Sequence, residues 1–283
     1  MADTSSRTEL QNRIRATETV ALSHSFEPFK NSKQQGSSSE PAPLVLVHGL
    51  FGSSRNWQSI AQVQSDERPV YSVDQRNHGN SPHHPSHTLY DMVADLYRWH
   101  REHLKKPAVY LGHSMGGLAV MGLALVFPDL VQKLIVVDIA PRSYEPHHGP
   151  EFQALEMDVS GFSSRQQIDQ AMAQIHPLPA VRRFLQMNLV RDTNGYRWGI
   201  NVSALKNAAY LEGFQEDFPN LQYEGTTLAM KGEKSNYIQD SDKELFRQFF
   251  PACKVLELKG ADHWLHYSAQ DTFLETLRVF LDS

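Results

Sequence analysis

Short uninterrupted apolar runs alternate along this chain with longer stretches whose apolar residues recur every three or four positions. Leu44 to Val47 closes at His48-Gly49, and Val70 to Val73, Ala108 to Leu111, Lys133 to Val137, Thr227 to Met230 and Val255 to Leu258 have the same compact form. Runs of that length predict strands buried on both faces. Between them, Leu89 to Leu104 has helical spacing through Leu89, Met92, Val93, Leu96, Tyr97 and His100, Leu118 to Phe127 reads as a helix halted before Pro128, and Gln270 to Leu281 reads as a last helix. Alternating buried strands and crossover helices predict an α/β fold, a mostly parallel central sheet flanked by helices. Upstream, Thr19 to Phe29 mixes apolar and polar residues as a short edge strand or hairpin would, and residues 31–43 (NSKQQGSSSEPAP) read as an exposed loop.

The alternation stops between Pro141 and about Pro219. Ser164 to Ile175, Val181 to Val190 and Ala204 to Gly213 look helical with no buried strand between them. Because the interruption falls late in the sheet, where an insertion can cover the carboxyl ends of the strands, it predicts a helical lid. The expected organisation is a tail over 1–16, a core formed by 17–140 and 220–283, and a lid over 141–219. Met172, Leu178, Phe184, Leu185, Met187 and Trp198 are candidates either for the lid's own core or for a substrate pocket.

Composition narrows the function. A length of 283 residues suits one catalytic core with one insertion. The 27 basic and 32 acidic side chains are spread without a dense Lys/Arg run, which argues against nucleic acid as a partner. The single cysteine, Cys253, has no internal partner and no metal-type spacing. No stretch approaches the roughly 18 uninterrupted apolar residues of a transmembrane helix. Arg7, Arg13 and Arg15 near the start are offset by Asp3 and Glu9, so no clear targeting segment stands out, which taken alone points to the cytoplasm.

The chemistry concentrates in Gly112-His113-Ser114-Met115-Gly116, a G-x-S-x-G lying between a predicted strand and a predicted helix. A sharp strand-to-helix turn holds the central residue in a strained conformation, so small neighbours are needed while its hydroxyl stands exposed. Ser114 is therefore the candidate nucleophile. A serine hydroxyl needs an imidazole to take its proton. Of 14 histidines, His263 follows the last predicted strand and is the candidate base. His78, His83, His84, His87, His147, His148 and His176 fall in loops or the lid as surface or structural residues, and His48 and His113 lie inside the turns in packing or hydrogen-bonding roles. The oxyanion of a tetrahedral intermediate needs two backbone N–H donors. Met115 supplies one by position; Leu50, in the glycine-flanked loop His48-Gly49-Leu50-Phe51-Gly52, is the choice for the other, with Phe51 its neighbouring candidate. No metal or redox cofactor is required.

HGLFGS at 48–53, DQRNHGNS at 74–81, GHSMGG at 112–117, VDIAP at 137–141 and the GADHW stretch together resemble one branch of the α/β-hydrolase superfamily. That branch holds small bacterial esterases, mitochondrial abhydrolase-domain proteins and fungal ethanol acetyltransferases, and the likeness spans about residues 17–281. It implies an acyl-enzyme mechanism, and by analogy a mitochondrial location. In the usual hydrolase pattern the acid follows the next-to-last strand three residues after a glycine, which here would be Ser235 after Gly232. Serine carries no charge and could orient His263 but not stabilise its imidazolium. Asp138, directly after the strand Lys133 to Val137, is the better placed acid, and in the branch resembled the acid stands at this position, 24 residues past the nucleophile. Glu233, Asp240 and Asp242 are fallback acids; Asp262 is read as orienting the loop of the base, and Asp74, Arg76 and His78 as holding their own loop together.

The expected activity is that of a serine carboxylesterase or thioesterase acting on a small-molecule acyl ester or thioester of short to medium chain. The alternatives are an alcohol O-acetyltransferase using the same three residues, a carbon–carbon bond hydrolase, and a non-catalytic binding protein on the same fold. Substitution tests the acid: Asp138→Asn should abolish ester turnover while Glu233→Gln leaves it near normal, and the reverse pattern would defeat the assignment.

Overall fold

The computed structural model describes residues 4–30, 41–145, 148–193, 195–208 and 211–283; most of the Ser-rich loop (31–40) and His147 lie outside the described residues. In chain order the elements are α1 (Thr4–Ala16), β1 (His24–Glu27), β2 (Leu44–Val47), α2 (Gln58–Gln64), β3 (Val70–Val73), α3 (Leu89–His103), β4 (Ala108–His113), α4 (Met115–Val126) and β5 (Val131–Val137). After β5 come α5 (Gly149–Leu155), α6 (Arg165–Met172), α7 (Pro179–Leu185), β6 (Leu189–Asp192), β7 (Gly195–Trp198), α8 (Val202–Lys206) and α9 (Phe214–Asp217). The chain closes with β8 (Thr227–Gly232), α10 (Lys243–Phe249), β9 (Cys253–Leu258), α11 (Leu265–Ser268) and α12 (Gln270–Asp282).

Seven strands form one sheet in the order β1-β3-β2-β4-β5-β8-β9, parallel throughout except for the antiparallel edge strand β1. Side chains alternate across a strand, so an apolar run feeds two cores at once. Val45, Val47, Tyr110, Leu134 and Val136 join α3 and α4 on one face. Leu44, Leu46, Val109, Leu111, Ile135 and Val137 join α2 and α12 on the other. That double burial explains why the central strands carry no polar alternation.

The segment between β5 and β8 departs from an all-helical expectation, because β6 and β7 form an antiparallel hairpin paired from Leu189↔Trp198 to Asp192↔Gly195. Each of its strands is only four residues long, too short for a period of two to be read. The segment rests on loops at the carboxyl ends of the strands: Asn188 Nδ2 donates to Phe51 O at 2.8 Å and Asn201 N to Asn77 O at 3.0 Å. Its last part turns back into the main core, where Phe214 meets Phe249 edge-on with ring centroids 5.7 Å apart and Tyr90 Oη donates to Asp217 O at 2.9 Å.

Residues 4–16 also differ from the expected tail. Residues 4–16 are a helix whose Ile14 is 1% exposed. Arg7 donates to Leu125 O at 3.1 Å and Gln222 O at 2.6 Å, and Gln11 Nε2 to Val126 O at 2.8 Å. The bonds to Leu125 and Val126 satisfy carbonyls at the end of α4 that have no partner within the helix, next to the negative end of its dipole. Arg13 lies over the Tyr90 ring at 3.9 Å, and Arg15 Nε reaches Tyr97 Oη at 3.4 Å. Arg7→Ala should therefore lower the free energy of unfolding by about 1–2 kcal/mol in urea titration; an unchanged midpoint would mean that α1 contributes no cap.

Candidate active site

Two adjacent parallel strands end in the same unusual way. After the last residue of β4, Ser114 takes φ 52°, and after the last residue of β5, Asp138 takes φ 53°. Each is pinned by one further ladder bond, Ser114 N to Val137 O at 2.9 Å and Asp138 N to Met230 O at 2.8 Å. A left-handed conformation is costly for a residue with a Cβ, so the surroundings must impose it. Glycines make that possible here: a Cβ on Gly112 would sit 2.3 Å from Gly116 O, and one on Gly116 would sit 2.5 Å from both His48 O and Val47 O.

Asp138 has no exposed surface, and its two oxygens are met by three donors. Gly232 N donates to Oδ1 at 3.0 Å, His263 Nδ1 meets Oδ2 at 2.7 Å, and the Ser235 hydroxyl closes on the same oxygen. The carboxylate accepts a hydrogen bond from the Nδ1–H of His263, which leaves Nε2 as the ring nitrogen without a proton. Ser235 thus serves Asp138 and, among the described residues, makes no hydrogen bond to His263. The fallback acids are occupied elsewhere: Glu233 accepts from Gly260 N at 2.7 Å, Asp240 pairs with Lys243 at 2.7 Å, and Asp242 with Arg142 at 3.0 Å. Asp262 accepts from Trp264 N at 2.8 Å, shaping the loop that carries the imidazole.

His263 is held beside the serine turn, its carbonyl accepting from His113 Nε2 at 2.9 Å. Ser114 and His263 are both half-buried, and among the described residues neither Ser114 Oγ nor His263 Nε2 has a hydrogen-bond partner; such bonds are commonly loose until a substrate is bound. The ring of Tyr237 stacks on His263 at 3.9 Å and 18°. Sequence reasoning missed Tyr237, since nothing in a lone tyrosine five residues past a strand signals a stacking role.

The two backbone donors also lie at this end of the sheet. Among the described residues no acceptor meets the N–H of Met115, at the start of α4, or that of Leu50. Phe51 is removed as a candidate, because its N–H donates to His78 Nε2 at 3.2 Å. Asp74 braces its own loop through Asn80 N at 2.9 Å and joins it to the loop after β2 through Ser54 N at 2.6 Å, while Arg76 anchors it to α3, its Nε pairing with Asp95 at 2.6 Å. Ala180, Arg183, Phe184, Met187, Asp262, Trp264, Tyr267 and Ser268 line a cleft of about 560 Å³ that takes in both chain neighbours of His263 but neither His263 nor Ser114 itself. Of the six apolar candidates in the insertion, Phe184 and Met187 reach this cleft, whereas Met172 and Leu185 are fully buried in the core. Among the described residues no cluster of His, Cys, Asp and Glu is arranged to hold a metal, and no helix is long and apolar enough to cross a membrane.

Comparison with known proteins agrees with this architecture. The family described as having the alpha/beta hydrolase fold matches residues 42–270. The chain is 36% identical over 255 residues to the sn-1-specific diacylglycerol lipase ABHD11 of Danio rerio, covering 86% of this chain and 79% of the relative. It is 32% identical to the esterase YbfF of Escherichia coli K12, covering 85% and 93% respectively. Among solved structures, a marine microorganism esterase superimposes with a TM-score of 0.81 at 30% identity, over 93% of this chain and 100% of the other.

Several histidines around this site are held neutral. Burial, then repulsion from His263 and His266, pushes His113 well below its ordinary 6.5. Burial first, then Arg76, takes His87 down to about 3, and burial followed by His263 does the same for His266. Their folded values are depressed, so below pH 6.5 the unfolded chain binds protons that the folded chain refuses. Stability should therefore fall with acidification from about pH 6.5 toward about 3, by about 1.4 kcal/mol per pH unit for each of the two. Urea midpoints at about pH 7.5 and about pH 5.5 check this; equal midpoints would contradict neutral burial.

Proposed function

This chain belongs to the α/β-hydrolase family, and from that membership we propose that it is a serine esterase that cleaves short- to medium-chain carboxylic esters through a covalent acyl-enzyme. In this reading Ser114 Oγ attacks the ester carbonyl while its proton passes to His263 Nε2. Asp138 keeps the ring in the tautomer that can accept and stabilises the imidazolium as it forms. The N–H groups of Leu50 and Met115 receive the negative oxygen of the tetrahedral intermediate. Collapse returns the proton from His263 to the leaving alcohol. Water then attacks the acyl group with His263 again as base, releasing the acid and restoring the Ser114 hydroxyl.

The observation that carries the reading is the 2.7 Å pairing of His263 with a fully buried carboxylate beside a serine at φ 52°. A buried charge next to a basic ring costs stability unless it is used or fully satisfied, and a strained serine at a strand end has no structural advantage over glycine. The cleft beside His263, walled by Ala180, Phe184, Met187, Trp264 and Tyr267, supports an apolar acyl chain as part of the substrate. Relatives named as an esterase and a diacylglycerol lipase support a carboxylic ester as the bond cleaved.

Turnover of p-nitrophenyl butyrate by the wild type and by Ser114→Ala tests the mechanism. The variant should lose at least about 10⁴-fold in kcat while keeping the wild-type melting profile. Equal rates would remove Ser114 from the reaction.

A further inference from the structure

Gly49 and Leu50 share one peptide, and in a trans peptide the carbonyl and the N–H face opposite ways. The Gly49 carbonyl is held by two donors, His48 Nδ1 at 2.8 Å and Gly52 N at 3.0 Å. The other ring nitrogen of His48, Nε2, accepts from Gln75 N at 3.0 Å, so it needs its lone pair and the ring proton sits on Nδ1. Gln75 closes the bracket a second time, its Nε2 donating to the His48 carbonyl at 2.8 Å. His48 is 1% exposed, and burial lowers its pKa, which favours the neutral ring that both bonds require.

Gly49 itself lies against the nucleophile: a Cβ added there would come 3.1 Å from Ser114 Cβ and 2.9 Å from His113 Nδ1. With the carbonyl tethered toward His48 and Gly52, the Leu50 N–H is turned to the other side of the peptide and has no acceptor among the described residues. We propose, resting on the reading of Leu50 as an oxyanion donor, that His48 is a positioning residue whose Nδ1–H both orients the Gly49–Leu50 peptide and polarises it. A carbonyl that accepts two hydrogen bonds draws electron density from its amide and makes the attached N–H a stronger donor. The Leu50 N–H is thereby preorganised for negative charge that appears only in the tetrahedral intermediate. Gln75 acts one step further back, by choosing the tautomer.

Two near-isosteric variants separate orientation from simple loop packing. His48→Gln sets an amide oxygen where Nε2 stood, satisfying Gln75 N but losing the donor to Gly49. His48→Asn sets an amide nitrogen where Nδ1 stood, keeping that donor and losing the acceptor. With p-nitrophenyl butyrate, kcat should fall about 30-fold in His48→Gln, less than the 10²–10³ of losing an oxyanion donor outright, and recover to within about threefold of wild type in His48→Asn. KM should stay unchanged, and affinity for an alkylboronic acid, whose tetrahedral anion mimics the intermediate, should fall by the same factor as kcat/KM. Equal kcat in the two variants, a loss confined to KM, or unchanged boronate affinity would overturn the proposal.

Should neither variant fold, ring ¹⁵N shifts of wild-type His48 decide. An Nδ1–H tautomer with a Leu50 amide proton that moves downfield on boronate binding is expected; an Nε2–H tautomer or an unmoved Leu50 amide overturns it. Ser114→Ala is the control that keeps the two claims apart. If it retains full turnover, the esterase reading fails and takes this inference with it, whereas a dead Ser114→Ala alongside an indifferent His48 defeats the inference alone.

Discussion

A carboxylate withdrawn completely from water must have its charge met by donors, and Asp138 sets that demand at the end of the central strand β5. The donors come from two other parts of the chain. Gly232 and Ser235 belong to the turn after β8, and His263 to the loop after β9. One buried charge therefore draws the exits of three neighbouring strands to a single point. Removing it would leave Ser235 and the imidazole of His263 without their shared partner, and the loop carrying His263 would lose its side-chain tie to the end of β5.

Sterics on the other side of the sheet axis are as demanding. The turn at Ser114 brings α4 so close to β2 and β4 that Gly112 and Gly116 cannot bear a Cβ, and Gly117 would drive one to 2.4 Å from Ile139 Cγ2. The loop over 48–53 is built against this packed corner and stabilised from behind by rings that hold no charge: His48 accepts from Gln75, His78 accepts from Phe51, and both are buried. Neutral imidazoles suit this place because one nitrogen can donate while the other accepts, which neither an amide of fixed reach nor a protonated ring would reproduce. The same neutrality couples the site's geometry to acidity.

Legibility in the sequence followed the physics of each element. Strands β2, β4 and β5 could be read because burial on both faces leaves only apolar residues, and the G-x-S-x-G turn because strain permits so few residue types. The hairpin β6–β7 could not, since four-residue strands of mixed polarity, LVRD and GYRW, carry too little period to distinguish them from a helix. Helix α1 has a weak amphipathic pattern and takes its order from Arg7 and Gln11 meeting the end of α4, more than 110 positions away in sequence. Its basic residues, which in isolation resemble an unstructured charged tail, are employed in caps and ring contacts.

Local constraints thus suffice for the alternating α/β order, the position of the strained serine and the loops able to bear an imidazole and a carboxylate, because each rests on residue types that few other local structures accept. The pairing of those groups is a different kind of fact. That Ser235 hydrogen-bonds Asp138 and not His263, that Phe51 gives its N–H to His78 while Leu50 does not, and that Tyr237 covers the imidazole all depend on where chain segments 26 to 125 residues apart come to rest. Directional contacts between such distant segments are settled by packing of the whole sheet, and no pattern within a short window of residues encodes them.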